Sequence, residues 1–367
     1  MNKHYYIGVM SGTSMDGIDC VVAHFSNNTF TLIAQQAFPY PQKIKSQIHA
    51  IYQNNYSTSL DTLGAIDYQL GFYYAKCINE LLTTSHISKQ NIKAIGCHGQ
   101  TIFHAPTAPS FYTLQLGKGA VIAEKTGIDT INDFRSKDIA NGGQGAPLAP
   151  AFHQAFFASQ IPSVILNLGG IANITCLHPD KPPIGFDTGP ANTLLDQWIL
   201  KHHGKYFDQN GKWGQSGQII PTLLEKLLAD AYFQKLPPKS TGREYFNLKW
   251  LEPFLSKKDA ACDVQTTLYE LTAKTVAQAV LSIQGDTKII YVCGGGSQNI
   301  FLRQRLQKNL PGIKIVSIKE AFNIDPQWIE ALCFAWFSYC FDNNIRLDLC
   351  AITGCKSTNI LGTLHKA

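Results

Sequence analysis

Short apolar runs that stop at glycine set the pattern of this chain. Tyr6-Ile7-Gly8-Val9-Met10 and Ile18-Asp19-Cys20-Val21-Val22-Ala23 read as two strands around the turn Ser11-Gly12-Thr13-Ser14-Met15-Asp16-Gly17. Ile66, Leu70, Tyr73, Cys77 and Leu81 recur at three- and four-residue spacing and predict a helix with one apolar stripe. Ala94-Ile95-Gly96-Cys97 is a short strand ending at His98-Gly99-Gln100-Thr101. Residues 113–116 and 129–134 are strand-like, with a helical stretch over 120–125 between them. Strands alternating with helices indicate an α/β architecture.

The second half opens on the same plan. Val164-Ile165-Leu166-Asn167-Leu168, the turn Gly169-Gly170 and Ile171-Ala172-Asn173-Ile174-Thr175-Cys176-Leu177 again read strand, glycine turn, strand. We read this as a weak internal repeat, against two unrelated hairpins. The glycine-dense stretch Asn141-Gly142-Gly143-Gln144-Gly145-Ala146-Pro147 is the candidate domain junction. Later, a strand over 288–292 runs into Cys293-Gly294-Gly295-Gly296-Ser297, followed by a helix over 299–306. Asp325-Pro326 starts a further helix that carries Glu330 in its second turn.

Composition narrows the class. With 367 residues, 45% hydrophobic and 16% charged, the chain suits about two globular domains. No stretch resembles the roughly 20 apolar residues of a membrane span. Met1 to Tyr6 lacks the charged and apolar regions of a signal peptide, so a cytoplasmic protein is expected. The net charge of +5 comes from scattered basic residues, which argues against nucleic acid and still suits small anions. The ten cysteines show no C-x-x-C spacing and read as reduced core residues; Cys350 and Cys355 face each other across a loop without clear meaning.

The glycine turns carry the candidate chemistry. Glycine lets backbone N–H groups approach an anion closely, and several such turns after strands exceed what a core requires. Asp16 and Asp19 beside the first turn supply oxygen ligands that suit Mg²⁺. Neither a G-x-x-x-x-G-K-[ST] loop nor a G-x-G-x-x-G opening after the first strand is present, so phosphates are expected between hairpins. In Gly185-Phe186-Asp187-Thr188-Gly189-Pro190-Ala191-Asn192, Pro190 reads as the first residue of a helix to about Leu200. Asp187 then precedes a helix N-terminus, as a general base or simply as a cap. His98 is a ligand contact or a structural hydrogen-bonder. Arg135, following a strand, either meets a substrate anion or pairs with Asp133 or Asp138. Glu330 is a candidate contact or a solvated surface residue.

Together these segments resemble the anhydro-N-acetylmuramic acid kinases. The resemblance rests on residues 8–19, His98-Gly99-Gln100-Thr101, Asn132-Asp133-Phe134-Arg135, Gly142 to Leu148, Asn167 to Asn173, Gly185 to Asn192, Gly294-Gly295-Gly296 and Glu330-Ala331. It spans the chain in order. It implies two ribonuclease-H-like domains of the actin, hexokinase and hsp70 type with ATP in an interdomain cleft. The domains would be 1–145, joined by 345–367, and 146–344. It further implies that Gly12, Thr13, Ser14, Met15, Asp16, Gly17, Ile18 and Asp19 take the phosphates and Gly169 and Gly170 face them, while Gly294, Gly295 and Gly296 lie near the nucleoside. Asp16 and Asp19 would be the Mg²⁺ side. His98, Arg135, Asp187 and Glu330 would meet the sugar, with Asp187 as catalytic base.

The implied reaction opens the 1,6-anhydro bridge of 1,6-anhydro-N-acetylmuramic acid with water and phosphorylates O6, a step of peptidoglycan recycling. The expected partner is thus a small anhydro amino sugar; neither nucleic acid nor a membrane is expected, and a homodimer stays open. Two other classes compete. An actin- or hsp70-like ATPase would need no sugar, and a carboxylate-pair glycosidase would leave the glycine turns unexplained.

Overall fold

A computed structural model describes residues 4–12, 15–26, 29–159, 161–243 and 245–367. Thr13 and Ser14, two residues of the first glycine turn, lie outside the described residues. The chain divides into two compact units, Met1–Phe156 with Trp328–Ala367, and Phe157–Gln327.

In the first unit, β1 (Tyr5–Met10), β2 (Gly17–Ser26) and β3 (Thr29–Pro39) form an antiparallel meander. β4 (Ile92–Cys97) pairs parallel to β1, and β7 (Thr130–Asn132) parallel to β4. β5 (Gln100–Ala105) and β6 (Tyr112–Leu116) make a separate hairpin. In the second unit, β8 (Ser163–Leu168), β9 (Ile171–His178) and β10 (Lys181–Pro190) repeat the meander. β11 (Ile289–Cys293) pairs parallel to β8, and β12 (Lys314–Ser317) parallel to β11. β13 (Thr363–His365) closes the edge of the first sheet against β7.

The sheet orders are β13-β7-β4-β1-β2-β3 and β10-β9-β8-β11-β12. Leaving β13 aside, both have an antiparallel meander of three strands whose first strand pairs parallel with a fourth, and that with a fifth. This is the ribonuclease-H-like order, and it occurs twice. The apolar runs alternate in and out along the meanders and become continuous in β1, β8 and β11, as central strands covered on both faces require. The predicted helix over 66–81 extends over Leu60–Thr84 and buries Ile66, Leu70, Cys77 and Leu81 of its stripe, while Tyr73 is half-buried. All ten cysteines are free and most are buried. Among the described residues, no helix is long and apolar enough to cross a membrane.

Three sequence expectations are displaced. The stretch Asn141 to Pro147 joins no units: it turns within the first, where Gln144 N–H donates to the Thr353 carbonyl and Lys356 N–H to that of Asn141. The helix Ile329–Asp342 also belongs to the first unit. It buries Ile329, Leu332, Phe334 and Phe337, and the division falls at 156 and 327 where 145 and 344 were expected. Finally, the strand expected over 129–134 is short, because Phe134–Ala140 is helical and carries Arg135 in its first turn.

The helix Ile329–Asp342 lies directly on the sheet. A Cβ at Gly8 of β1 would overlap the Ala331 carbonyl, and one at Gly96 of β4 the Phe334 carbonyl. Gly96→Ala should therefore destabilise by about 1–3 kcal/mol, lowering the melting temperature by roughly 3–10 °C. Gly64, exposed in the helix Leu60–Thr84 with open space at its Cβ, is the control. Gly64→Ala should gain about 0.5–1 kcal/mol. Equal melting shifts for the two variants in differential scanning calorimetry would contradict this packing.

Candidate functional site

The first unit gathers four predicted residues from four separate segments. His98 follows β4, and its N–H donates to the Val9 carbonyl at 3.0 Å, which places it at the end of the sheet. Its ring is buried. Arg135 donates to His98 Nε2 from both Nε and Nη2, at 3.1 and 2.9 Å, and from Nη1 to the Gly145 carbonyl at 2.7 Å. Because Nε2 accepts, the proton of the neutral ring sits on Nδ1. Burial first, and then the Arg135 charge, push the His98 pKa well below its ordinary value. This pair answers the alternatives left by the sequence: Arg135 pairs with neither Asp133 nor Asp138 by hydrogen bond.

Glu330, expected in the second turn of a helix starting at Asp325-Pro326, stands in the first turn of the helix Ile329–Asp342, because Pro326–Trp328 forms a separate 3-10 turn. Its side chain is exposed. Desolvation raises its pKa, the Asp19 charge raises it further, and Arg135 opposes both. Asp19 lies on β2 opposite Met10. Asp19, Glu330, Arg135 and His98 thus form one electrostatic neighbourhood.

Asp138, which sequence reasoning weighed only as a salt-bridge partner, supports this group from below. It is fully buried, and its carboxylate accepts from Gly145 N–H at 2.7 Å and from Thr353 Oγ1 at 2.8 Å. The Gly145 carbonyl so fixed is the one that holds Arg135. A Cβ at Gly143 would strike the same carboxylate, whereas one at Gly145 would meet the Ile139 side chain and one at Gly142 that of Lys356.

The first glycine turn is anchored from three sides. Met15 is buried at φ 52°, and its N–H donates to the Gly12 carbonyl at 3.0 Å. Lys45 Nζ donates to the Met15 carbonyl at 2.8 Å and lies 3.9 Å from Asp16. Gln100 Nε2 donates to the Gly12 carbonyl at 3.3 Å, and Ser11 Oγ lies 2.7 Å from Tyr74 OH. Nothing in the sequence pattern singled out Lys45, which comes from the helix Gln42–Gln53.

The second unit places Asp187 differently from the sequence expectation. It lies within β10, paired with Asn173, and Pro190 is the last residue of that strand. The helix begins at Asn192, and its N-cap, Ala191, makes no side-chain cap bond, so Asp187 is not a helix cap. The carboxylate Oδ2 accepts from Thr241 N–H at 3.0 Å, Asp187 N–H donates to the Lys239 carbonyl at 3.2 Å, and Tyr232 OH donates to the Asp187 carbonyl at 2.7 Å. A donor on the carboxylate favours its charged form. Phe186 and Thr188 line a cavity of about 190 Å³ with Phe233 and Lys239; strand alternation puts it on the face opposite Asp187.

The remaining glycine turns meet at one end of the second sheet. The Gly170 carbonyl accepts from Ala191 and Thr193 N–H at 3.0 and 2.9 Å, and that of Gly169 from Asn192 N–H at 3.1 Å. Because Cys293 pairs with Asn167, Gly294, Gly295 and Gly296 emerge beside this turn. Gly294, at φ 76°, packs where a Cβ would overlap Asn167 and the Leu168 backbone, whereas Gly295 has open space. Among the described residues, no group of three or more His, Cys, Asp or Glu side chains could hold a metal.

A ribonuclease-H-like sheet present twice, with a glycine turn inside each leading hairpin, defines a protein of the actin and hexokinase type of fold. Comparison with known proteins carries the assignment further. The model of the family described as anhydro-N-acetylmuramic acid kinase matches residues 4–367. Curated proteins of that name are similar over their full length. That of Mannheimia succiniciproducens is 44% identical, covering 99% of both chains. That of Pasteurella multocida is 45% identical, covering 98% of this chain and 96% of its own, and that of Nitrosospira multiformis 43%, covering 100% of both. The chain belongs to the anhydro-N-acetylmuramic acid kinase family.

The Glu330 neighbourhood predicts a pH-dependent stability. A carboxyl whose folded pKa lies above its unfolded value holds its proton longer in the fold, so stability falls as pH rises through that window. Glu330→Gln stays neutral throughout. Its melting temperature should exceed the parent's at pH 7.5, and the gap should close as pH falls toward 4.5. A gap independent of pH in thermal melts would remove the charge explanation.

Proposed function

We propose that this chain hydrolyses the 1,6-anhydro bridge of 1,6-anhydro-N-acetylmuramic acid and phosphorylates O6 from ATP, yielding N-acetylmuramic acid 6-phosphate and ADP in peptidoglycan recycling. ATP supply puts the step in the cytoplasm. The observation that carries this reading is the Asp187 carboxylate, held on a strand by the Thr241 amide and capping no helix. A carboxylate oriented in this way is suited to general-base work.

Asp187 takes a proton from a water whose oxygen bonds to C1. The C1–O6 bond breaks, its electron pair stays on O6, and O6 attacks the γ-phosphorus as the bond to the ADP oxygen breaks. No hydroxyl need exist on C6 beforehand, which is why a kinase here also needs a base for water. Arg135, fixed by His98 and the Gly145 carbonyl, is suited to an anionic or polar group of the sugar. Glu330 and His98 are assigned to sugar hydroxyls.

The backbone of 12–19 and of Gly169-Gly170 is assigned to phosphate oxygens, and Gly294-Gly295-Gly296 to the nucleoside side. Mg²⁺ binds through few protein oxygens and keeps water and phosphate ligands, so one or two carboxylates suffice. Asp19, already close enough to a second carboxyl to raise its pKa, and the exposed Asp16 fit that demand. When bound, the ion would offset charge on the phosphoryl oxygens.

ADP release coupled to a reporter tests the reading with the anhydro sugar, with N-acetylmuramic acid and with no sugar. Release only with the anhydro sugar, and a product heavier by one phosphoryl group and one water, is expected. Asp187→Asn should lower turnover by about 10³-fold or more with ATP affinity retained. Equal ADP release without sugar, or an active Asp187→Asn variant, would sink it.

A further inference from the structure

The segment that holds Asp187 carries an arginine onto the second glycine turn. Lys239 and Thr241 bond Asp187 on its two sides, through the Lys239 carbonyl and the Thr241 N–H. Two residues on, the Arg243 guanidinium lies over Gly170. A Cβ on that glycine would stand 3.1 Å from Nε and 3.2 Å from Nη2. The Gly170 carbonyl already accepts two N–H groups, so it does not explain the guanidinium's position.

The loop is held beyond this point as well. Tyr245 and Phe246 N–H donate to the Gly242 carbonyl at 3.2 and 3.1 Å, and Asn247 Nδ2 donates to the Arg243 carbonyl at 3.2 Å. Phe246 is fully buried and stacks on Phe233 at 5.6 Å. The arginine therefore projects from a short segment fixed at both ends, which presents its charge at little entropic cost.

The other four arginines all have a partner for the guanidinium: His98 and Gly145 for Arg135, Glu320 for Arg303, Glu270 for Arg305 and Thr358 for Arg346. Among the described residues, the Arg243 guanidinium has none. Five planar donors over a bare glycine turn have the chemistry of an anion receptor, most of all for phosphate oxygens.

We propose that Arg243 binds the terminal phosphoryl group of the nucleoside triphosphate above the Gly169-Gly170 turn. One loop then serves two reacting groups, orienting the base through Thr241 and neutralising the transferring phosphate through Arg243. This inference rests on the phosphotransfer reading above.

The test is calorimetric binding of ADP and of a non-hydrolysable ATP analogue, with Mg²⁺, to the parent chain, Arg243→Ala and Arg243→Lys. Arg243→Ala should bind the triphosphate about 10–100-fold more weakly, as loss of a charged hydrogen-bond pair implies, with ADP affinity within about threefold. Arg243→Lys should recover part of the loss, and kcat should follow the triphosphate affinity. An unchanged ratio of triphosphate to ADP affinity would overturn the assignment. So would equal loss of both ligands with a lowered melting temperature, which marks a structural role. A parent chain that binds no triphosphate at all would overturn the phosphotransfer reading with it.

Discussion

Everything in the first unit depends on how closely the helix Ile329–Asp342 can lie on β1 and β4. Its carbonyls at Ala331 and Phe334 occupy the space where Gly8 and Gly96 would carry a Cβ. Two glycines nearly ninety residues apart make this seat, and a segment from the far end of the chain fills it. The contact buries the apolar face of the helix and fixes the height of its first turn. Glu330 thereby reaches the charge fields of Asp19 and Arg135. A packing constraint between backbones sets an electrostatic one between side chains.

The electrostatics then work against the fold. Desolvation and a neighbouring carboxylate both disfavour the charged form of Glu330, and desolvation also disfavours the Arg135 cation. The chain keeps these groups together by tying each to a rigid partner. Asp138, buried with both oxygens accepting, fixes the loop whose Gly145 carbonyl holds Arg135. Thr353 links the same carboxylate to the C-terminal segment, so residues 138, 145 and 353 act as one support. Partly desolvated charge held by a fixed, hydrogen-bonded scaffold is the usual compromise of a binding site.

In the second unit the support is backbone instead of side chain. Amide donors at Ala191, Asn192 and Thr193 take the carbonyls of the Gly169-Gly170 turn, and the loop 239–243 takes Asp187. The two units share a strand order but solve the placement of their functional groups separately.

Much of this was legible in the sequence because it is local. Strand periodicity and glycine punctuation predicted both leading hairpins, the helix over 66–81 and the repeat, since those patterns report on neighbours a few residues away. Asp187 stood out for the same reason, but its setting did not: Pro190 resembles a helix start, and only its pairing with Ile171 makes it a strand end. Arg135 read as following a strand, because nothing local reveals that Phe134 already turns into a helix. The glycines from 142 to 145 looked like a domain junction, whereas they turn within the first unit, and Gly143 makes room for the Asp138 carboxylate. Lys45, Asp138 and Arg243 act on partners 30 to 215 residues distant, at Met15, Thr353 and Gly170, and such contacts leave no mark in a linear pattern. The sequence by itself determined which elements form and which residue types could do the chemistry. Tertiary packing decided which of them meet, because the distances that matter are set by side chains and backbones brought together from opposite ends of the chain.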